Sequence, residues 1–223
     1  MRSTYTFDFL AILRYWPELV QGAWVAASLI VLTFLLGTIL GIFGAIGRIS
    51  RNRAVYAIST FYVELFRNTP LLVQMYVAYY GLDALSINLS SFTAALLAMS
   101  LNSGAYETEI IRGGIIAVSK GQLEAAFSIG MTYTQTLRKV VIPYALQVIF
   151  PPLGNQFIGI ILGSSVASVI TVPEITYVAL NIGSRSYRDF ETFLLIWVIY
   201  LALNLILSAL FKLTGRIAFR PVL

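Results

Sequence analysis

The side chains of this chain that could do chemistry are carboxylates, arginines and carboxamides set inside apolar runs. Glu64 and Arg67 stand three apart, as do Glu109 and Arg112. That spacing makes each pair neighbours on a helix surface. Glu107 has no arginine on its own face. Asn68, Thr69 and Gln74 follow the first pair, Asn102 precedes the second, and Asn155 and Gln156 sit in a later apolar run. Carboxylates close together could serve acid–base catalysis, but no nucleophile–base set or metal-ligand cluster accompanies them. Histidine and cysteine are absent, which excludes disulfides, zinc and haem sites and Cys or His catalysis. A charge at the centre of a bilayer costs about 2.5–3.5 kcal/mol, so such residues either pair internally or line a polar path. Both uses stay open for Glu64, Asn68, Thr69 and Gln74, and for Asn155 and Gln156. Internal pairing is the reading for Glu109 and Arg112. Glu107 and Asn102 are read toward the path.

The elements that must position these groups are membrane spans. The chain has 223 residues, 58% of them hydrophobic and 11% charged, with mean hydropathy +0.83. A soluble domain of this size cannot bury so much apolar surface. A spanning helix needs roughly 20 apolar residues. Runs of that kind predict five spans, at about 19–47, 54–82, 84–116, 143–170 and 192–211. Pro70 should loosen the second span. Pro151 and Pro152 should kink the fourth, where Gly159 and Gly163 suit close packing. The fifth reads as peripheral. Residues 1–17 read as an interfacial helix rather than a cleavable signal peptide, with Phe7, Leu10, Leu13 and Trp16 on one face. The loop at 171–190 has room for a short helix.

Basic residues orient the spans. Arg48, Arg51, Arg53, Lys120, Arg138, Lys139, Lys212, Arg216 and Arg220 all fall on one side, against Arg2, Arg14, Arg185 and Arg188 on the other. The first side is therefore cytoplasmic, with the N-terminus outside and the C-terminus inside. The net charge of +5 follows this placement and does not call for nucleic acid. No internal repeat is visible, which weighs against carriers built from inverted repeats.

Residues 119–142 form a polar interruption on the basic side. Ser119 with Gln122, and Thr132 with Gln135, are capping boxes for two short helices. Gly130 suits a left-handed bend between them. Leu123, Ala126, Phe127 and Met131 make a small apolar face, which suits docking onto another protein.

This interruption, Glu124-Ala125-Ala126 then Gly130 then Val140-x-Ile142-Pro143, resembles the EAA loop of permease subunits of ABC importers. The family has isoleucine and leucine where this chain has Val140 and Ile142. The stretches Glu64-Leu65-Phe66-Arg67-Asn68-Thr69-Pro70-Leu71-Leu72-Val73-Gln74, Ala105-Tyr106-Glu107 and Glu109-Ile110-Ile111-Arg112-Gly113-Gly114-Ile115 resemble its polar amino-acid branch. The resemblance covers residues 18–220.

It implies an all-α membrane protein of the type I importer kind, in a bacterial cytoplasmic membrane. The loop would be a cytoplasmic coupling element, with Glu124, Ala125, Ala126 and Gly130 at the contact with an ATPase. Partners would be ABC ATPase subunits, a second permease subunit, a periplasmic or lipid-anchored amino-acid binding protein, and membrane lipid. No phosphate-binding loop occurs in the chain, so ATP and Mg are expected on the ATPase, and the chain is not itself an enzyme. The rival is a stand-alone carrier or channel for a small polar solute.

Overall fold

The computed structural model describes residues 6–218. Arg2, Arg220 and the first five residues of the N-terminal segment lie outside the described residues, and so does the side chain of Arg216. Helices follow one another as α1 (Phe9–Leu13), α2 (Trp16–Arg48), α3 (Arg53–Arg67), α4 (Leu71–Tyr76), α5 (Ser91–Ile116), α6 (Lys120–Ser128), α7 (Tyr133–Thr136), α8 (Ile142–Gly163), α9 (Ile175–Ser186) and α10 (Asp189–Ala218). Wide π turns at Val77–Gly81 and Leu137–Val141 extend α4 and join α7 to α8. A 3-10 helix, Ser164–Ile170, extends α8. No strand occurs among the described residues.

Three stretches among the described residues are long and apolar enough to cross a membrane: Trp16–Arg48, Tyr133–Ile170 and Asp189–Gly215. The expected second span is broken. Asn68 ends α3, and Pro70 stands extended at φ −64°, ψ 137° before α4. Pro70 does more than loosen a helix, because a residue ahead of proline is pushed out of helical geometry. The expected proline kink in the fourth span is a milder event, since α8 runs on through Pro151 and Pro152.

The tightest packing is α2 against α5. A Cβ on Gly41 would lie 2.8 Å from the Cβ of Glu107, and one on Gly44 would overlap the side chain of Thr108. A Cβ on Gly104 of α5 would lie 2.8 Å from the Cβ of Leu40. Small residues on both helices thus let the backbones meet. Because Gly37 faces Ser103 and Gly44 faces Thr108, the two helices run parallel. Gly114 of α5 meets Ile149 of α8, while Gln156 reaches Ser103, so α8 runs antiparallel to both.

Aromatic rings help to hold α10 against the bundle. Phe211 stacks on Phe150 at 4.7 Å and takes the edge of Phe34 at 5.6 Å. Its remaining surface is largely exposed: Trp197, Leu205 and Ile206 are each about 60% accessible. That agrees with a peripheral helix facing lipid. The end of α2, residues 119–142 and Lys212 therefore share one end of the molecule. The 82–90 connection and α9 share the other.

At that other end α1 and α9 cover the bundle. Phe7, Leu10, Leu13 and Trp16 all lie exposed, while Ile12 is buried. The β-branched Thr171 ends the 3-10 helix at φ 62°, a conformation that side chains of this kind rarely adopt.

Gly44→Val should separate α2 from α5 and lower stability by about 1–3 kcal/mol, the usual cost of overpacking. Gly113→Ala, which would meet nothing within 4 Å, should leave stability unchanged or raise it. Thermal unfolding of the purified chain in detergent would separate the two outcomes.

Candidate functional site

The residues singled out from the sequence fall mainly into four separate places. The first is the α2–α5 seam. Glu107 has no exposed surface. Thr38 Oγ1 donates to its Oε2 at 2.7 Å, and Ser103 Oγ donates to its Oε1 at 2.8 Å. Gln156 Nε2 donates to Ser103 Oγ at 3.2 Å, tying α8 to the same network. The expectation that Glu107 faces an open path is corrected. It is closed over by Gly37 and Gly41, the glycines that admit it. Thr38 was not foreseen as its partner. A hydroxyl between two seam glycines was the available signal.

The second place is the break between α3 and α4. Gln74 Nε2 donates to the carbonyl oxygens of Phe66 and Thr69 and to Thr69 Oγ1. Asn102 Nδ2 donates to the Phe66 carbonyl at 3.0 Å and to Gln74 Oε1 at 3.1 Å. A broken helix leaves orphan carbonyls, which must be satisfied away from water. Thr69, Gln74 and Asn102 do that work.

The predicted Glu64–Arg67 ion pair does not form. Glu64 Oε2 accepts from Asn68 Nδ2 at 2.7 Å, and Arg67 lies over the Tyr106 ring, 5.2 Å from its centre. The helix ends at Arg67, so the arginine is free to turn toward α5.

The third place is the basic end. Glu109 accepts from Arg48 at 3.0 Å and from Arg112 at 2.6 Å. Arg48 also donates to Thr60 Oγ1 at 2.6 Å. One half-buried carboxylate thus joins α2, α3 and α5. Paired arginines hold it below the cost of an unmatched charge. Asn155 lies apart from all of these, in a 340 Å³ cleft with Phe150, Phe211 and Lys212. Gln156 and Asn102 instead border a 40 Å³ cavity beside Thr33. The hydroxyl of Thr33 has no hydrogen-bond partner among the described residues, and this space is enough for a water.

An almost wholly apolar groove of 320 Å³ runs along the broken span. Phe66, Val73, Val77, Ala78, Leu97 and Leu101 are among its walls, with Thr69 and Gln74 as polar members.

The fourth place is the elbow at residues 119–142. Ser119 and Thr132 both form complete capping boxes, with Gln122 and Gln135. Gly130 stands at φ 79°. Its N–H donates to the Phe127 carbonyl at 2.9 Å, and the Met131 N–H to the Ala126 carbonyl at 3.1 Å. This is the Schellman closure that only a left-handed residue completes cheaply.

The predicted apolar face is corrected in part. Ala126 is buried, and Leu123 and Met131 are half-buried, because α6 packs back on α7 and the π turn. The exposed apolar tip is Ile129 at 79%, Tyr133 at 73% and Phe127 at 48%. Glu124, Ala125 and Gly130 are exposed beside it. The second helix of the elbow is also not separate. It passes through the π turn into α8, just ahead of Pro143, which has no N–H to give to a regular turn.

At the opposite end, buried Glu174 caps α9 and was not anticipated from sequence. It accepts from the N–H groups of Thr176 and Tyr177 and from Tyr200 Oη at 2.6 Å. Burial raises its carboxyl above the usual range against these bonds.

Residues 37–216 match the family described as binding-protein-dependent transport system inner membrane component. The chain is 40% identical over 197 residues to the L-cystine transport system permease protein TcyB of Bacillus subtilis (strain 168), covering 86% of this chain and 84% of that one. It is 35% identical over 210 residues to the arginine transport system permease protein ArtQ of the same organism, covering 94% and 96%. Among solved structures, an amino acid ABC transporter with histidines matches with a TM-score of 0.88 and 40% identity, over 95% of this chain and 99% of that one. The inward-facing MetNI methionine ABC transporter matches with a TM-score of 0.72 at 18% identity, over 94% and 98%, and so shares the fold. The chain belongs to the family of inner membrane components of binding-protein-dependent transport systems.

Proposed function

We propose that this permease spans the membrane five times and imports a polar amino acid, driven by ATP hydrolysed on separate subunits. The spans are α2, the broken α3–α4 unit, α5, α8 and α10. At about 1.5 Å per residue, α2 is about 50 Å long, more than a bilayer core of about 30 Å. It tilts or projects. Arg48, Arg51, Arg53, Lys120, Arg138, Lys139 and Lys212 gather at the elbow end, which makes that end cytoplasmic. The N-terminus is then outside and the C-terminus inside. Relatives named for L-cystine and arginine support an amino-acid solute.

The observation that carries the reading is the elbow: a doubly capped polar turn with an apolar tip, at the basic end of a chain of this family. The tip at Ile129 and Tyr133 docks an ATPase subunit, and Glu124 and Ala125 lie alongside. ATP and Mg bind there, on the partner. A second permease subunit, alike or different, completes the path, and an extracytoplasmic binding protein supplies the solute. For nucleotide to drive transport, the elbow must be held more tightly in one state than in the other.

Ile129→Asp changes a residue already in solvent, so the chain should still insert and fold. It should cut the ATPase subunit recovered with the chain by about tenfold, the effect of losing an interface anchor. Unchanged copurification would remove the docking role. Gly130→Val places a β-branched residue at φ 79°, where it is strained. Uptake in proteoliposomes should fall while ATP hydrolysis persists. Wild-type uptake from this variant would sink the coupling role of the bend.

A further inference from the structure

A cavity of 240 Å³ opens at the end opposite the elbow, lined by Tyr79, Tyr80, Asp83, Asn88 and Leu89. It is smaller than the usual small-molecule pocket of about 300–1,000 Å³, and suits the charged end of a solute or side chain. Its rings hold one another: Tyr80 meets Tyr79 edge-on at 4.8 Å and Tyr76 at 5.3 Å. Asp83 is set by the turn that follows it. The N–H of Ser86 donates to the Asp83 carbonyl at 2.8 Å, and that of Ile87 to the Leu82 carbonyl at 2.9 Å. Ser86 adopts φ 64° to close this turn. Asn88 returns from it and donates to Asp83 Oδ1 at 2.5 Å. No arginine or lysine pairs with Asp83 among the described residues.

We propose that this cavity binds an organic cation, a guanidinium or primary ammonium group. An aromatic face attracts a cation through its quadrupole, and Asp83 keeps its second carboxylate oxygen for a charge-assisted hydrogen bond. Leu89 offers an apolar wall to the alkyl stem. An anion would meet the carboxylate, and a neutral group would gain little from the rings. The apolar groove is lined in part from the same segment, by Val77, Ala78 and Leu82. This deepens the permease reading and rests on it. The cation comes from a free solute or from a lysine or arginine of a protein docked on the outer face.

The test uses the full chain, assembled with its ATPase subunits in nanodiscs. Methylguanidinium and its neutral counterpart N-methylurea are the probes, read by saturation transfer to the probe methyl group. Wild-type protein should bind methylguanidinium and not N-methylurea. Asp83→Asn and Tyr80→Leu should each weaken binding about tenfold, whereas Tyr80→Phe should keep it, since the ring is retained. A second arm titrates the extracytoplasmic binding protein onto the same complexes. If only this affinity falls about tenfold in Asp83→Asn, the site stands and its cation belongs to the docked protein. Equal behaviour of wild type and Asp83→Asn in both arms overturns the proposal. ATP-driven uptake by the wild type is measured in parallel, and its absence would count against the permease reading without touching cation binding.

Discussion

The contact between α2 and α5 is the constraint on which the rest of the structure depends. Two helix backbones meet across glycines, and a carboxylate is shut between them with two hydroxyls as its donors. In lipid there is little hydrophobic gain in bringing two apolar helices together, so close van der Waals packing and interhelical hydrogen bonds must do it. The seam supplies both. It also sets the register of α3, because Arg48 at its end reaches Thr60 and Glu109 together. α8 follows through Gln156 and Ile149.

A second constraint is the satisfaction of backbone groups where a helix breaks. The gap at Asn68–Pro70 exposes carbonyls of Phe66 and Thr69. Gln74 reaches back to both, and Asn102 reaches across from α5 to the first. The same bonds fix the angle between α3 and α4, and with it the wall of the apolar groove. Polar residues inside these spans are therefore mostly committed to the protein itself. The groove keeps only Thr69 and Gln74 as polar members, and both already hold partners.

Much of this was legible in the sequence because it is local. Capping boxes at Ser119 and Thr132 depend on residues three apart, and the left-handed Gly130 on its own lack of a side chain. Apolar runs of span length are likewise read without knowing any contact. What stayed hidden depends on partners far along the chain. Helical spacing put Glu64 beside Arg67, but spacing does not know that the helix ends there or that Tyr106 stands opposite. It made Leu123, Ala126 and Met131 a shared face without telling which side that face would turn to. Glu107 drew attention as an unmatched charge. Its match was two hydroxyls on different helices, one of them 69 positions away. Glu174 looked like a loop residue until α9 and Tyr200 closed on it.

The continuity of the elbow with α8 has a mechanical consequence. A docking loop on flexible linkers would move without moving the bundle. Here α6 ends in a Schellman closure and packs on α7, and from Tyr133 the chain stays helical through the π turn to Gly163. A π turn widens the helix and is a common place for its axis to bend. Under the proposed docking, displacement of Tyr133 would reach α8 along this continuous helical path. α8 meets the seam at Ile149 near the elbow and at Gln156 further along. The first contact is an aliphatic side chain seated against Gly114, in space that a Cβ there would fill. The second is a single hydrogen bond of 3.2 Å to Ser103. The elbow is thus continuous with the helix that meets the seam at two points, and the second of them is the hydroxyl that also holds Glu107.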